Sequence, residues 1–184
     1  LSSGASVRLR VVYASGAPVT GVTSAGRTNR GVRDRDAAPD AAFDVITLAP
    51  GEDRLVMVRH DGRKLGKVVH VREGDDKAGP VLVTLAPLAT ITGRVADADG
   101  NPVPGARVRP DLLPAGSFSL SLPQVTTDQE GRFRVPDVPT GCDYALAVQS
   151  LGTIKKIRFA FSSKNITVKP GETIDVGEIR FKND

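Results

Sequence analysis

The chain contains the same module twice. When Gly16 is laid on Gly100, Val7 falls on Ile91, Val11 on Val95, Pro18 on Pro102, Val19 on Val103 and Gly21 on Gly105, without a gap. A second gapless register brings Phe43 onto Phe133, Val45 onto Val135, Leu48 onto Val138, Gly51 onto Gly141 and Asp53 onto Asp143. The registers differ only by an insertion in the polar segment between them, where added length costs least. Two copies of one module are therefore expected, over residues 1–88 and 89–184. Each copy is small but long enough to bury a core of its own without disulfides.

Local patterning says what kind of module this is. Val7, Leu9 and Val11 alternate with Arg8 and Arg10, and Ile157, Phe159 and Phe161 alternate with Lys156, Arg158 and Ala160. That is period two, the spacing of a two-faced strand. The 19 glycines and 13 prolines leave little room for a helix. Strands are expected around Val7, Phe43–Val45, Leu55–His60, Lys67–Arg72 and Val81–Leu85 in the first copy. In the second they are expected at Ile91–Asp97, Gly105–Arg109, Val125–Asp128, Arg132–Val135, Asp143–Gln149, Lys155–Ser162 and Gly177–Phe181. Asp61-Gly62 signals a tight hairpin. Short strands with frequent turns predict an all-β chain, an antiparallel sandwich or barrel in each copy. The alternation is taken to point most phenylalanines inward.

Composition excludes several classes. Lys and Arg number 25 against 21 Asp and Glu, a net charge of +4 with the signs interspersed. This describes a solvated surface, not a nucleic-acid footprint. No apolar run approaches the roughly 18 residues of a membrane helix. Cys142 is the only cysteine, so neither an intrachain disulfide nor a cysteine metal cluster can form. The chain opens on Leu1 without a signal-peptide pattern, so a piece of a longer protein is expected.

Few residues are placed for chemistry. Asp97-Ala98-Asp99-Gly100-Asn101 opens like a calcium loop, but the twelfth position, where a bidentate Glu belongs, is Val108. A plain turn is the better reading. His60 and His70 lie on expected strands about ten residues apart and would face each other across the Asp61-Gly62 hairpin only if register allowed; with no third ligand near, they fall short of what zinc needs. Cys142 precedes a strand with no histidine in its copy, and no Gly-x-Ser-x-Gly elbow exists. Arg27, Arg30, Arg33 and Arg35 share one loop with Asp34 and Asp36. They form either a solvated loop or a surface for an acidic partner. In Asp111–Gln124, Phe118, Leu120 and Leu122 alternate with Ser117, Ser119 and Ser121. This reads as cover for the sandwich or the junction, or else as an edge open to β-augmentation.

The residues carrying a family likeness are concentrated in the second copy. They are Ile91-Thr92-Gly93-Arg94-Val95, Asp99-Gly100-Asn101-Pro102-Val103-Pro104-Gly105-Ala106-Arg107-Val108, Thr127-Asp128, Gly131-Arg132-Phe133-Arg134-Val135, and Pro139-Thr140-Gly141 before Tyr144. Together they resemble the carboxypeptidase regulatory-like domain, a transthyretin-like (prealbumin-like) seven-stranded Greek-key sandwich. Residues 1–88 match more loosely: Leu9 replaces Gly93, Val22 replaces Ala106, Arg54 replaces Tyr144, and the Thr-Asp pair is lost. The resemblance implies two tandem sandwiches of a mostly non-catalytic kind, found beside peptidase domains and in arrays of bacterial secreted or envelope proteins. Active relatives of the fold fail on residue identity. A transthyretin-like hydrolase and an intradiol dioxygenase lack their histidine patterns here, and an isopeptide-forming domain lacks its first-strand Lys near Gly93 or Arg94.

The expectation is thus a non-catalytic accessory pair without cofactor or metal, in an extracellular, periplasmic or envelope setting. Its partners would be other domains of the parent protein or an envelope protein, not nucleic acid. Phe118, Leu120, Leu122, Arg27, Arg30 and Arg33 are the candidate contact residues. Carbohydrate binding is the alternative, lowered by the absence of Trp and the presence of only two Tyr.

Overall fold

The structure is a computed structural model that describes residues 4–28, 36–38, 41–113, 122–151 and 157–182. Among these the chain is all-β apart from one 3₁₀ turn, Asp61–Arg63. No helix is long and apolar enough to cross a membrane. The chain divides into two units. The first holds Leu1–Leu88 and the turn Pro139–Cys142; the second holds Ala89–Ala115, Ser121–Val138 and Asp143–Asp184.

The first unit comprises β1 (Ala5–Val12), β2 (Val22–Ala25), β3 (Asp36–Ala38), β4 (Ala42–Leu48), β5 (Asp53–His60), β6 (Leu65–Arg72), β7 (Val81–Thr84) and β8 (Ala86–Pro87). One sheet runs β4-β1-β7 and the other β3-β2-β5-β6-β8. β1 is antiparallel to β4 and parallel to β7. Its alternating side chains Val7, Leu9 and Val11 are wholly buried, packed with Phe43, Val45 and Val83 and with Val56, Val58 and Val71 of the facing sheet. Each such aliphatic contributes roughly 1.5–3 kcal/mol by leaving water. Within this unit Thr140 bridges to Lys67, and Val68 N–H donates to Thr140 O at 2.8 Å.

The second unit repeats that plan. Its strands are β9 (Ala89–Ala96), β10 (Arg107–Leu113), β11 (Val125–Thr126), β12 (Arg132–Val138), β13 (Asp143–Leu151), β14 (Ile157–Phe161), β15 (Ile166–Thr167) and β16 (Thr173–Arg180). The sheets run β12-β9-β16 and β11-β10-β13-β14, with the short β15 also on β13. Apart from the two-residue β8, on β6, and β15, on β13, this is the first unit's order, with β9 in the place of β1 and β16 in that of β7. Ile91, Val95, Phe133, Val135 and Ile179 face Val108, Leu112, Tyr144, Leu146 and Val148, all buried. Each unit is a seven-stranded Greek-key sandwich with one additional two-residue strand.

The repeat extends to single hydrogen bonds. Val19 N–H donates to Val11 O and Val103 N–H to Val95 O, both at 3.0 Å. Leu85 N–H reaches Val12 O as Phe181 N–H reaches Ala96 O, again both at 3.0 Å. Gly16 and Gly100 close the same turn at φ 83° and 88°, where a side chain would be strained. Both units also break the ladder at one point. Register shifts between the first strand and the Phe strand coincide with a left-handed residue, Thr47 at φ 57° and Asp137 at φ 59°. This is a β-bulge that bends the strand end.

The Asp61-Gly62 hairpin differs from its expected form. Lys64 N–H closes the 3₁₀ turn on Asp61 O at 3.2 Å, and the left-handed residue is Lys64, not Gly62. The longer loop pairs His60 with Leu65 and Leu55 with His70, so the two histidines do not face each other.

The bulges yield a test. Holding Thr in the left-handed region costs about 1 kcal/mol. Thr47→Gly is therefore expected to stabilise the first unit by up to about that amount. Asp137→Gly gains less, because Asp tolerates this region better. Urea denaturation of both variants checks the order; a destabilised Thr47→Gly would show that the Thr side chain itself holds the bulge.

Candidate interaction site

Of the candidate contact residues, Arg30, Arg33, Phe118 and Leu120 lie outside the described residues. Leu122 is only 5% exposed, which leaves it little surface to offer. Arg27 is folded onto its own unit: its guanidinium carbon lies 5.1 Å over the Phe43 ring and Nε donates to Asp44 O at 3.1 Å. Its carbonyl accepts Ile46 N–H at 2.9 Å.

Exposed aromatic surface appears elsewhere: Phe43, Phe133 and Phe181 are buried, but two rings depart from the inward expectation. Phe159 and Phe161 are 61% and 64% exposed, whereas Ala160 between them is buried. Among the described residues β14 is a sheet edge whose core-facing row is Arg158 and Ala160, so its rings stand on the outer face. Beside them across the ladder are Gln149 and Ala147 of β13. Tyr144, by contrast, is fully buried.

The polar residues of greatest chemical promise are committed to architecture. Arg54 is buried, and its guanidinium donates to Ile46 O (2.7 Å), Thr47 O (2.9 Å) and Arg27 O (3.4 Å). It also grips Glu52 through two bonds of 2.6 and 2.8 Å. The Arg54 hydrogen bond holds the Glu52 carboxyl below the usual carboxylate range, against a weaker pull from burial. Asp97 accepts Asn101 Nδ2 (3.1 Å) and the backbone N–H groups of Asn101 (2.9 Å) and Asp99 (3.0 Å). Its carboxyl is lowered first by the Asn101 side chain. The Asp97 carboxylate thus closes its own turn instead of turning toward a cation. Thr127 Oγ1 donates to Val103 O (2.6 Å) and accepts Ala106 N–H (2.9 Å), tying two loops together.

Other charges pair with one another. Partial burial pulls the Asp53 carboxyl up, but bonds from Arg72 (2.6 Å) and His70 Nδ1 (2.9 Å) leave it lowered. A cleft of about 540 Å³ in the second unit is lined by Thr92, Arg94, Phe133, Asp175 and Glu178. Glu178 there is shared by Arg180 and Arg94, the Arg180 bond lowering its carboxyl most. Carboxylates kept ionised by guanidinium are poor proton donors near neutral pH. Among the described residues no three His, Cys, Asp or Glu gather as a metal site.

This geometry defines a tandem of Greek-key β-sandwich modules whose polar groups brace turns. The family follows: the chain belongs to the carboxypeptidase regulatory-like domain family, which residues 90–182 match. Among curated proteins none matches the sequence. Solved structures similar to the chain include a 9R-lipoxygenase from Cyanothece, at 19% identity over 50% of this chain and 16% of that one, with a TM-score of 0.34. Another is the Bacillus anthracis TIE protein, at 12% identity over 98% and 34%, TM-score 0.36. A third is a streptococcal ancillary pilin, at 12% identity over 98% and 63%, TM-score 0.37. The chain spans less than two thirds of each, and at these TM-scores the likenesses carry no functional conclusion.

Removing Arg54 should be costly. Arg54→Ala strands Glu52 and the carbonyls of Ile46 and Thr47, for an expected loss of about 3 kcal/mol in urea denaturation. The pH dependence has a definite sign. Glu52 titrates lower folded than unfolded, so its contribution is present above the ordinary Glu value of about 4.3 and fades as pH falls through the folded value. Glu52→Gln should flatten that acid limb; an unchanged limb would assign the acid sensitivity to other carboxylates.

Proposed function

We propose that the chain is a non-catalytic pair of sandwich modules, residues 1–88 and 89–184, serving as spacer and protein-interaction unit of a larger bacterial secreted or cell-envelope protein. One observation carries the reading. Arg54, Asp97, Thr127 and Glu178 are each bonded to turns, strand ends or counter-charges of their own unit. Residues so engaged hold shape and are not free to bind and turn over a substrate. The partners are neighbouring domains of the parent protein or another envelope protein.

A carbohydrate-binding reading is kept second because the rings of Phe159 and Phe161 are exposed and stand side by side on one sheet face. Ring faces of this kind stack on sugar C–H groups. A glycan array, run beside assays with chromogenic ester, amide and phosphoester substrates, tests both readings. The expected result is no turnover above a mock preparation and no glycan retained at micromolar strength. Glycan binding abolished by Phe159→Ala would make the second reading the right one; turnover removed by a single substitution would end the non-catalytic one.

A further inference from the structure

We propose that the outer edge of β14, which has no strand partner among the described residues, pairs with β14 of a second copy of this chain, as two antiparallel strands related by a twofold axis through Phe159. The inference rests on reading the pair as an interaction unit, and it names the surface and the partner.

The backbone presents the necessary groups. Ser162 N–H donates to Leu146 O at 3.0 Å, which sets the phase of the β13–β14 ladder. In an antiparallel pair, bonded and non-bonded positions alternate. Arg158 and Ala160 therefore bond to Ser150 and Val148, while Ile157, Phe159 and Phe161 turn their N–H and C=O groups away from β13. Pro110 supports this phase independently. It lies opposite Leu146, at a non-bonded position of the β10–β13 ladder, where its missing N–H costs nothing.

Although β14 is short, it lacks three other usual defences against pairing, which are outward charge, proline and bulges. β12 carries Arg132, Arg134 and Pro136, and β16 carries Asp175, Glu178 and a register shift between them. β14 has no proline or glycine. Its one charge, Arg158, lies over the Phe181 ring at 5.0 Å and donates to Lys182 O at 3.0 Å. In the first unit the corresponding edge is already occupied by backbone of this same chain. Pro87 and Ala86 pair with Leu65 and Gly66, and Thr140 bridges to Lys67.

The strand is complementary to itself. With the axis at Phe159, each Phe159 faces its mate and each Phe161 faces residue 157 of the other copy. Bonded pairs of this type set Cα atoms about 5.5 Å apart, within reach of offset ring packing. Arg158 falls opposite Ala160, so no like charges oppose each other. A ladder this short falls below the roughly 1,200 Å² of a standard interface, so the dimer is weak and concentration-dependent.

Sedimentation equilibrium of the whole chain, from low micromolar to near-millimolar, with hydrogen exchange at both extremes, tests the proposal. The expected result is a monomer–dimer equilibrium with Kd on the order of hundreds of micromolar. The amides of Phe159 and Phe161 slow as the dimer forms, while that of Ala160 is slow throughout. Phe159→Pro removes an outward N–H only, so it should abolish the dimer and leave the melting temperature near that of the parent. Phe161→Glu places a carboxylate on the face that carries the Phe159 rings and should weaken the dimer by roughly tenfold or more. If Phe159→Pro fails to fold, Phe161→Glu and the exchange data decide. A chain that stays monomeric throughout, a dimer untouched by Phe161→Glu, or Phe159 amide exchange independent of concentration each overturns the proposal. None of these outcomes touches the non-catalytic reading, which is judged by turnover and glycan binding.

Discussion

Both units depend on where their first strand sits. β1 is held between β4, from the middle of its copy, and β7, from near its end; β9 is held in the same way between β12 and β16. The parallel partner arrives last, and its side chains complete the core: Val83 beside Val11 in one unit, Ile179 beside Val95 in the other. Truncation before β7 or β16 would leave the first strand's inward aliphatics half covered. Such pairing also requires the chain to close its longest loop before the core is gained, a topology that folds slowly and all at once.

The same constraint explains how the copies diverge without losing the plan. Arg54 stands where Tyr144 stands in the second unit, and both are buried, at 8% and 0% exposure. Tyr144 contributes volume. Arg54 satisfies carbonyls beside the left-handed Thr47. A second exchange joins Leu9 and Gly93. Phe133 lies so close over Gly93 that a Cβ there would sit 2.7 Å from Cζ of the ring, and 2.8 Å from Gly177 O. In the first unit Leu9 fills that place opposite Phe43, wholly buried. Each residue suits the neighbour it has, so neither can be moved across alone.

What was legible in the sequence, and what was not, divides along physical lines. Turn chemistry and alternation are local, and they located most strands, because Gly16, Gly100, Pro18 and Pro102 admit few backbones; they missed β2 and β3, which lie in a stretch that reads as a polar segment, and the two-residue β8 and β15. The family resemblance in Ile91–Tyr144 likewise carried through to the fold. Alternation, however, names two faces without saying which one is buried. For Val7, Leu9 and Val11 the charged partners settle the matter. For Phe159 and Phe161 the intervening residues are Arg158 and Ala160, and a long Arg that lies along an aromatic ring is content on the inner side. Hairpin length was equally hidden, since Asp61-Gly62 fits a two-residue turn and only the pairing of His60 with Leu65 shows the longer one. Arg27 reads as a free cation in a loop because its partners, the Phe43 ring and Asp44 O, are distant in sequence.

The distribution of charge finally bears on how such a surface can recognise anything. Arg109 is tied to Asp111, Arg8 to Asp44, and Arg94 and Arg180 to Glu178. A partner that sought these groups would have to break existing pairs and desolvate both members, gaining little over what it disrupts. Recognition through outward backbone groups and ring faces would break no such pair. In the second unit those features coincide on one strand. A contact built from them would be insensitive to salt, since no ion pair is exchanged. It would also be selective by register, because a slip of one residue sends the rings to the opposite face.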